Sequence, residues 1–256
     1  YDEVTYYKFD DKYWLASHKE LESYFDNSNF DYTLTEISAD YKMLQVEGKK
    51  SGEIAQKFYE YDISTLNFRS GVEMTFENQS GYLVRFGFSG EFGYQFFLPT
   101  EVFDEFVEKV CKGIPKYGKE LDAYLRFEVG QPIQAIYQQE NYSLYELGYS
   151  WNLDFTKEEF KGRENLLESI NATNFKSIGF KTDKSVAAGT QVIFDNEIVG
   201  KVCWSADQCN SLNNYLGLMI IDKEYAHAGV TFVTENGELL QTISSPYKIP
   251  ERWTKE

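Results

Sequence analysis

The chain has 256 residues, of which 42% are hydrophobic and 26% charged, and its formal net charge is −16. That length holds one large or two modest domains with a real core, and the balance argues against a disordered or low-complexity chain. The acidity argues against a nucleic-acid binder, which would need a basic surface to track phosphates, and against docking on anionic lipid.

Residues 4–9 and 13–16 are short β-rich runs separated by Asp10-Asp11-Lys12, which predicts a hairpin. A polar, helix-compatible stretch (18–25) follows, then a strand over 41–46. The turn-rich Gly48-Lys-Lys-Ser-Gly52 leads into a predicted helix over 53–59. Strands at 72–76 and 82–86 are joined by Glu77-Asn-Gln-Ser-Gly81, and a glycine-dense loop, Gly87-Phe-Ser-Gly-Glu-Phe-Gly93, precedes a strand over 94–98. Val102, Phe103, Phe106, Val107 and Val110 share one face of a predicted helix over 101–112, with Thr100 placed to cap it. A short helix is expected over 122–129, ending at Gly130 before Pro132.

From about Asn174 the pattern changes to short strands at 177–180, 191–194, 198–203, 215–221, 230–234 and 239–244. Asp195-Asn196 and Asn236-Gly237 are tight-turn dipeptides between them. This reads as a small β-barrel or sandwich behind an α+β domain. The expected domains are 1–172 and 173–256.

Aromatic residues make up 17% of the chain, which suits β structure and flat-ligand pockets, though an aromatic core is the commoner cause. Cys111, Cys203 and Cys209 have no metal-ligand rhythm and read as reduced thiols of a cytoplasmic protein. With only His18 and His227, a His-rich metal site is not expected. No apolar run reaches the roughly 20 residues of a membrane span.

Several segments, in order, carry a resemblance. They are Met43-Leu-Gln-Val-Glu-Gly48, Arg85-Phe-Gly-Phe-Ser-Gly-Glu-Phe-Gly-Tyr94, Leu125-Arg-Phe-Glu-Val-Gly130, Tyr145-Glu-Leu-Gly-Tyr-Ser-Trp151 and Phe160-Lys-Gly-Arg163. In the C-terminal part, Val199-Gly-Lys-Val202, Leu216-Gly-Leu218, Gly229-Val-Thr-Phe232 and Ser245-Pro-Tyr247 continue the series. Together they resemble the folate-binding family of the glycine cleavage T-protein, with the amino-terminal third missing. The missing part is expected to precede Tyr1 or to sit on a second chain. Within the family, Ala135-Ile-Tyr137 and Ser245-Pro-Tyr-Lys-Ile-Pro-Glu-Arg252 look like the tetrahydrofolate-dependent aryl-methyl-ether demethylases.

The resemblance implies an α+β folate-binding domain with antiparallel sheets and packed helices, then a small β-barrel. It implies tetrahydrofolate as cofactor, no metal, and a small-molecule methyl or aminomethyl donor. The expected activity is one-carbon transfer, led by demethylation that moves a methyl group from an ether, sulfonium or amine donor to tetrahydrofolate. Glycine-cleavage-type aminomethyl transfer and a non-catalytic folate-binding accessory protein are the alternatives.

Glu128 would grip the pterin, because a carboxylate accepts two parallel hydrogen bonds from its donor edge; otherwise it is a solvated helix-end carboxylate. Asp2 would lie near the accepting nitrogen. Tyr137 would face the donor as a general acid, or be one more core aromatic. Arg85 is a ligand or a buried ion-pair partner. Tyr149 and Trp151 could stack on folate or form an apolar wall.

Departures from the family pattern are Asp122, Gln95 and Cys209-Asn210, which stand where an arginine, a glutamate and a serine-proline pair are usual, and a missing asparagine around Ala16-Ser-His18. They lead us to expect something other than an ordinary lipoamide-linked enzyme.

Overall fold

The computed structural model describes residues 4–9, 12–17, 20–25, 31–133, 136, 142–208, 210 and 213–254. Two compact units divide the chain: Tyr1–Lys116 together with Pro250–Glu256, and Tyr117–Ile249. Against the 1–172 and 173–256 expected from sequence, residues 117–172 cluster with the barrel, and the last residues, 250–256, cluster with the first unit.

The first unit is built on a four-stranded antiparallel sheet of β3 (Tyr41–Glu47), β4 (Gly71–Phe76), β5 (Gln79–Val84) and β6 (Gly93–Pro99), in the order β3-β6-β5-β4. The hairpin of β1 (Thr5–Lys8) and β2 (Tyr13–Ala16) forms as its sequence predicts. A four-residue helix α1 (Glu22–Phe25) is followed later by α2 (Ser51–Ala55), which runs on as a 3-10 turn over Gln56–Phe58.

Strand β6 shows why the unit holds together. Successive side chains of a strand point to opposite faces, and β6 is buried on both. Tyr94, Phe96 and Leu98 enter one core with Phe106 of α3 (Thr100–Val110). Phe97 enters another with Tyr7 and Val84, against which Trp14 packs.

Two local expectations change. The β4–β5 turn is only Glu77 and Asn78, with φ of 47° and 64°; such two-residue turns match the twist of a hairpin. Gly81 therefore lies inside β5, opposite Met74. Thr100 does not cap α3: Pro99 holds the cap position, and the Thr100 hydroxyl donates to the carbonyl of Ala39.

The second unit opens with α4 (Lys119–Glu128) and, further on, α5 (Arg163–Ala172). The sequence reading missed α5. None of its residues is fully buried, so the apolar stripe by which a helix announces itself is weak there.

A closed antiparallel barrel follows, made of β7 (Phe175–Thr182), β8 (Gln191–Phe194), β9 (Glu197–Ser205), β10 (Tyr215–Asp222), β11 (Thr231–Thr234) and β12 (Leu239–Ile243) in the order β10-β7-β12-β11-β8-β9. Closure removes the exposed strand edges an open sheet would leave. Phe180, Val192, Val202, Met219, Phe232 and Leu240 fill the interior. Asp195 and Asn196 make the β8–β9 turn with φ of 50° and 67°, as their dipeptide predicts.

Candidate functional site

In the second unit, polar side chains gather at the end of α4. Tyr124 and Glu128 stand four residues apart, one above the other on the same helix face. The Tyr124 hydroxyl faces the Glu128 carboxylate and the Asn210 side chain closely enough for both to act on its proton. Burial, then the charge of Glu128 and the hydrogen bond to it, push the Tyr124 hydroxyl far above the usual phenol range. It stays a proton donor at any physiological pH.

Asn210 Nδ2 also donates to the Tyr247 hydroxyl at 3.0 Å, and Asn210 Oδ1 accepts from the Asn214 backbone N–H at 3.0 Å. The Lys248 backbone N–H donates to the Glu128 carbonyl at 2.9 Å, while its Nζ lies 3.9 Å from Glu128 Oε2. With its side chain only 11% exposed, Glu128 is not the solvated helix-end carboxylate of the alternative reading.

Beyond Glu128 the backbone turns at Gly130, where φ is +74°. A Cβ there would also come within 2.3 Å of Ser245 Oγ, so both the conformation and the space demand glycine. A cavity of about 370 Å³ opens alongside, lined by Phe127, Gly130, Leu147, Tyr149, Ile178 and Tyr247 among others. It shares Tyr247 with the Glu128 cluster.

Tyr149 is buried with Ile133, Leu147 and Ile220 and forms part of the cavity wall. Trp151 is 55% exposed. The glutamate of the Tyr145–Gly148 motif is a clamp rather than a ligand. Glu146 accepts from the backbone N–H groups of Ser143 at 2.9 Å, Asn174 at 3.2 Å and Phe175 at 3.3 Å. Burial alone would push its carboxyl up, but these donors outweigh burial and hold it below the usual glutamate value.

In the first unit, the loop between β5 and β6 carries the Arg85–Tyr94 motif. Gly87 and Gly93 cross at close range: a Cβ on Gly93 would stand 2.6 Å from the Gly87 Cα. Glu47 fastens the loop by accepting from the Phe88 and Ser89 N–H groups at 2.9 and 2.8 Å.

Arg85 is not an ion-pair partner among the described residues. Its Nη1 donates to the carbonyls of Leu66 at 2.6 Å and Ser64 at 3.2 Å. Asp2 and Tyr137 lie outside the described residues, as do Cys209 and His18.

Two departures from the family pattern prove structural. Asp122 pairs with Arg126 at 2.8 Å one turn along α4. Gln95 is buried and accepts from the Tyr7 hydroxyl at 2.8 Å. A third, Asn210, joins the Glu128 cluster. Sequence reading missed Tyr124, Asn210, Tyr247 and Lys248 as members of this site. The available signals were the four-residue spacing of Tyr124 to Glu128 and the Ser245-Pro-Tyr247 motif.

Among the described residues no group of three or more His, Cys, Asp or Glu is placed to hold a metal ion, and no helix is long and apolar enough to cross a membrane. Cys111 and Cys203 are free thiols, and burial pushes the Cys203 thiol up to about 11.

An antiparallel sheet unit and a closed six-stranded β-barrel unit place the chain in the class of T-protein-like folds. The crystal structure of the glycine cleavage system aminomethyltransferase T from Bartonella henselae has this fold, with a TM-score of 0.69 over 82% of this chain and 60% of that one, at 18% identity. Residues 1–157 match the GCVT N-terminal domain model, and the chain belongs to that family.

An aminomethyltransferase of Thermoanaerobacter pseudethanolicus is 28% identical over 95% of this chain and 71% of its own length. One from Listeria monocytogenes is 26% identical over 89% of this chain and 66% of its own. The chain thus spans roughly two thirds of the relatives it matches.

Proposed function

We propose that this protein binds tetrahydrofolate and takes part in transferring a one-carbon unit to it. The observation that carries this reading is the buried Glu128 carboxylate, flanked by Tyr124 and Lys248, in a cluster that shares Tyr247 with a neighbouring, largely apolar cavity. The residues present fit the group: a carboxylate supplies two acceptors for a pterin donor edge, and the cavity walls are largely apolar, as small-molecule sites are. Tetrahydrofolate when bound would supply the nitrogen that accepts the one-carbon unit.

The chain's own share of the work is binding and orientation. Glu128 accepts from the pterin edge, Tyr124 fixes the carboxylate, and Tyr149 and Phe127 keep water from the wall. Positioning of this kind accounts for much of the rate in transfers between two bound reactants. Asp2 beside the accepting nitrogen and Tyr137 toward the donor complete the proposal, on residues the structure does not describe. Arg85 and Trp151 have no part in it.

On the donor side, an aminomethyl donor now leads, supported by relatives named aminomethyltransferases. The structural explanations for Asp122 and Gln95 remove two arguments against it. The methyl-ether reading keeps only Ala135-Ile-Tyr137 and the C-terminal motif behind it.

The test is calorimetric titration of the intact chain with tetrahydrofolate, followed by transfer assays with aminomethyl-lipoyl and methyl-ether donors. Saturable binding is expected. Absence of any binding heat, both alone and with the amino-terminal part of a relative supplied, sinks the reading. Transfer from a methyl ether alone would reverse the donor assignment.

A further inference from the structure

We propose that Arg85 and Arg252 form a second binding site, in the first unit, for a small molecule bearing a carboxylate or phosphate group. The two guanidinium groups stand 5.8 and 5.7 Å from the centre of the Phe92 ring. Arg252 also lies 5.7 Å from the ring of Phe68, which Arg69 approaches at 5.6 Å. Both rings are open to solvent, Phe68 being 46% and Phe92 36% exposed. Arginine on an aromatic face leaves its planar edge free to donate, and this edge matches the two oxygens of a carboxylate or phosphate.

How the charges are held is the decisive point. Arg85 is fixed by carbonyls through Nη1 alone, and Arg252 donates through Nε to the carbonyl of Gly90. An arginine has five N–H donors, so Nη2 of Arg85 and both terminal nitrogens of Arg252 keep unused capacity. Among the described residues neither arginine has a carboxylate within ion-pair distance.

The acidic groups nearby are already engaged. Glu47 accepts from Phe88 and Ser89, Glu91 accepts from the Glu251 N–H at 3.0 Å, and Glu251 pairs with Lys49. Ser89 adds a second pointer: its Oγ is buried in the same loop with no hydrogen-bond partner. In a chain of net charge −16, cations that have no carboxylate within ion-pair distance among the described residues and lie on exposed rings attract anions that the rest of the surface repels.

Arg252 reaches this place because the C-terminal segment returns to the first unit. The site thus joins the start of the glycine loop to the end of the chain.

The probes are inorganic phosphate and glutarate, titrated into the full chain at low ionic strength and followed by calorimetry. Saturable binding of either supports the site, and the stronger of the two identifies the preferred head group. Arg252→Gln should weaken that binding about tenfold and Arg252→Lys by less, since lysine keeps the charge but loses the fork. Lys109→Gln, which removes a cation already paired with Glu77 and Glu105, should leave it unchanged. Glu128→Ala should leave it unchanged too, which separates this site from the folate reading. No saturable binding of either probe, or equal binding by Arg252→Gln, overturns the proposal.

Discussion

Around Glu128 a buried carboxylate sits in a cluster of side chains from separate stretches of sequence: Tyr124 from its own helix and Lys248 beside it, with Asn210 bonded to Tyr247 next to Tyr124. Around Phe92 two guanidinium groups are held by backbone carbonyls and aromatic faces alone. The contrast shows two ways to fix a charge. A side-chain network fixes the direction of the group while leaving it acceptor capacity; it is costly to break because its members support one another. A backbone anchor positions a cation while leaving its other donors open, and its loss costs little in stability.

That contrast can be broken or sharpened by substitution. The largest effect is expected where the backbone itself carries the carboxylate cluster. Gly130→Ala forces a left-handed residue against Ser245 and should destabilise by more than about 2 kcal/mol, lowering the melting temperature by roughly 4–8 °C in a scan.

Next comes Glu146→Gln, which weakens a clamp of three backbone donors and should cost about 1–2 kcal/mol. Its pH signature is specific. The folded pKa lies below the ordinary 4.5, so the clamp contributes stability above that value and loses it as pH falls through the folded pKa. Denaturant melts from neutral to acid pH should therefore converge for wild type and Glu146→Gln at the acid end. Parallel curves would refute the assignment.

Tyr124→Phe removes the hydroxyl that orients Glu128. It should cost about 1 kcal/mol of stability and weaken tetrahydrofolate binding about fivefold. Arg252→Gln should be the mildest, within about 0.5 kcal/mol of wild type by denaturant melt. A large loss there would mean that the backbone-anchored cluster is structural in the same sense as the carboxylate cluster.

The barrel was the most legible region in the sequence, because its strands are short, β-branched and punctuated by Asp195-Asn196 and Asn236-Gly237, whose chemistry dictates tight turns. Helix α5 was not legible, since Leu166, Leu167 and Ile170 make too thin a stripe. The Glu77–Asn78 turn is hidden in the sequence because neither residue is a glycine, while Gly81, the glycine of that run, lies inside β5.

At the site, Glu128 was legible through its motif. Its partners were not: Asn210 and Tyr247 are far from it in sequence, and only the closure of the second unit brings them to α4. Arg85 was legible as a special residue, but its partners are main-chain carbonyls, which no side-chain pattern can reveal.

The most direct measurement compares Glu128→Ala and Glu128→Gln with wild type in the same tetrahydrofolate titration. A buried carboxylate that accepts from a ligand contributes about 1.5–3 kcal/mol per bond, so losing both bonds in Glu128→Ala should weaken binding by at least roughly 100-fold with the fold retained. Glu128→Gln, which keeps one acceptor, should fall between. An unchanged dissociation constant in a folded Glu128→Ala protein would contradict the assignment of this carboxylate as the pterin anchor.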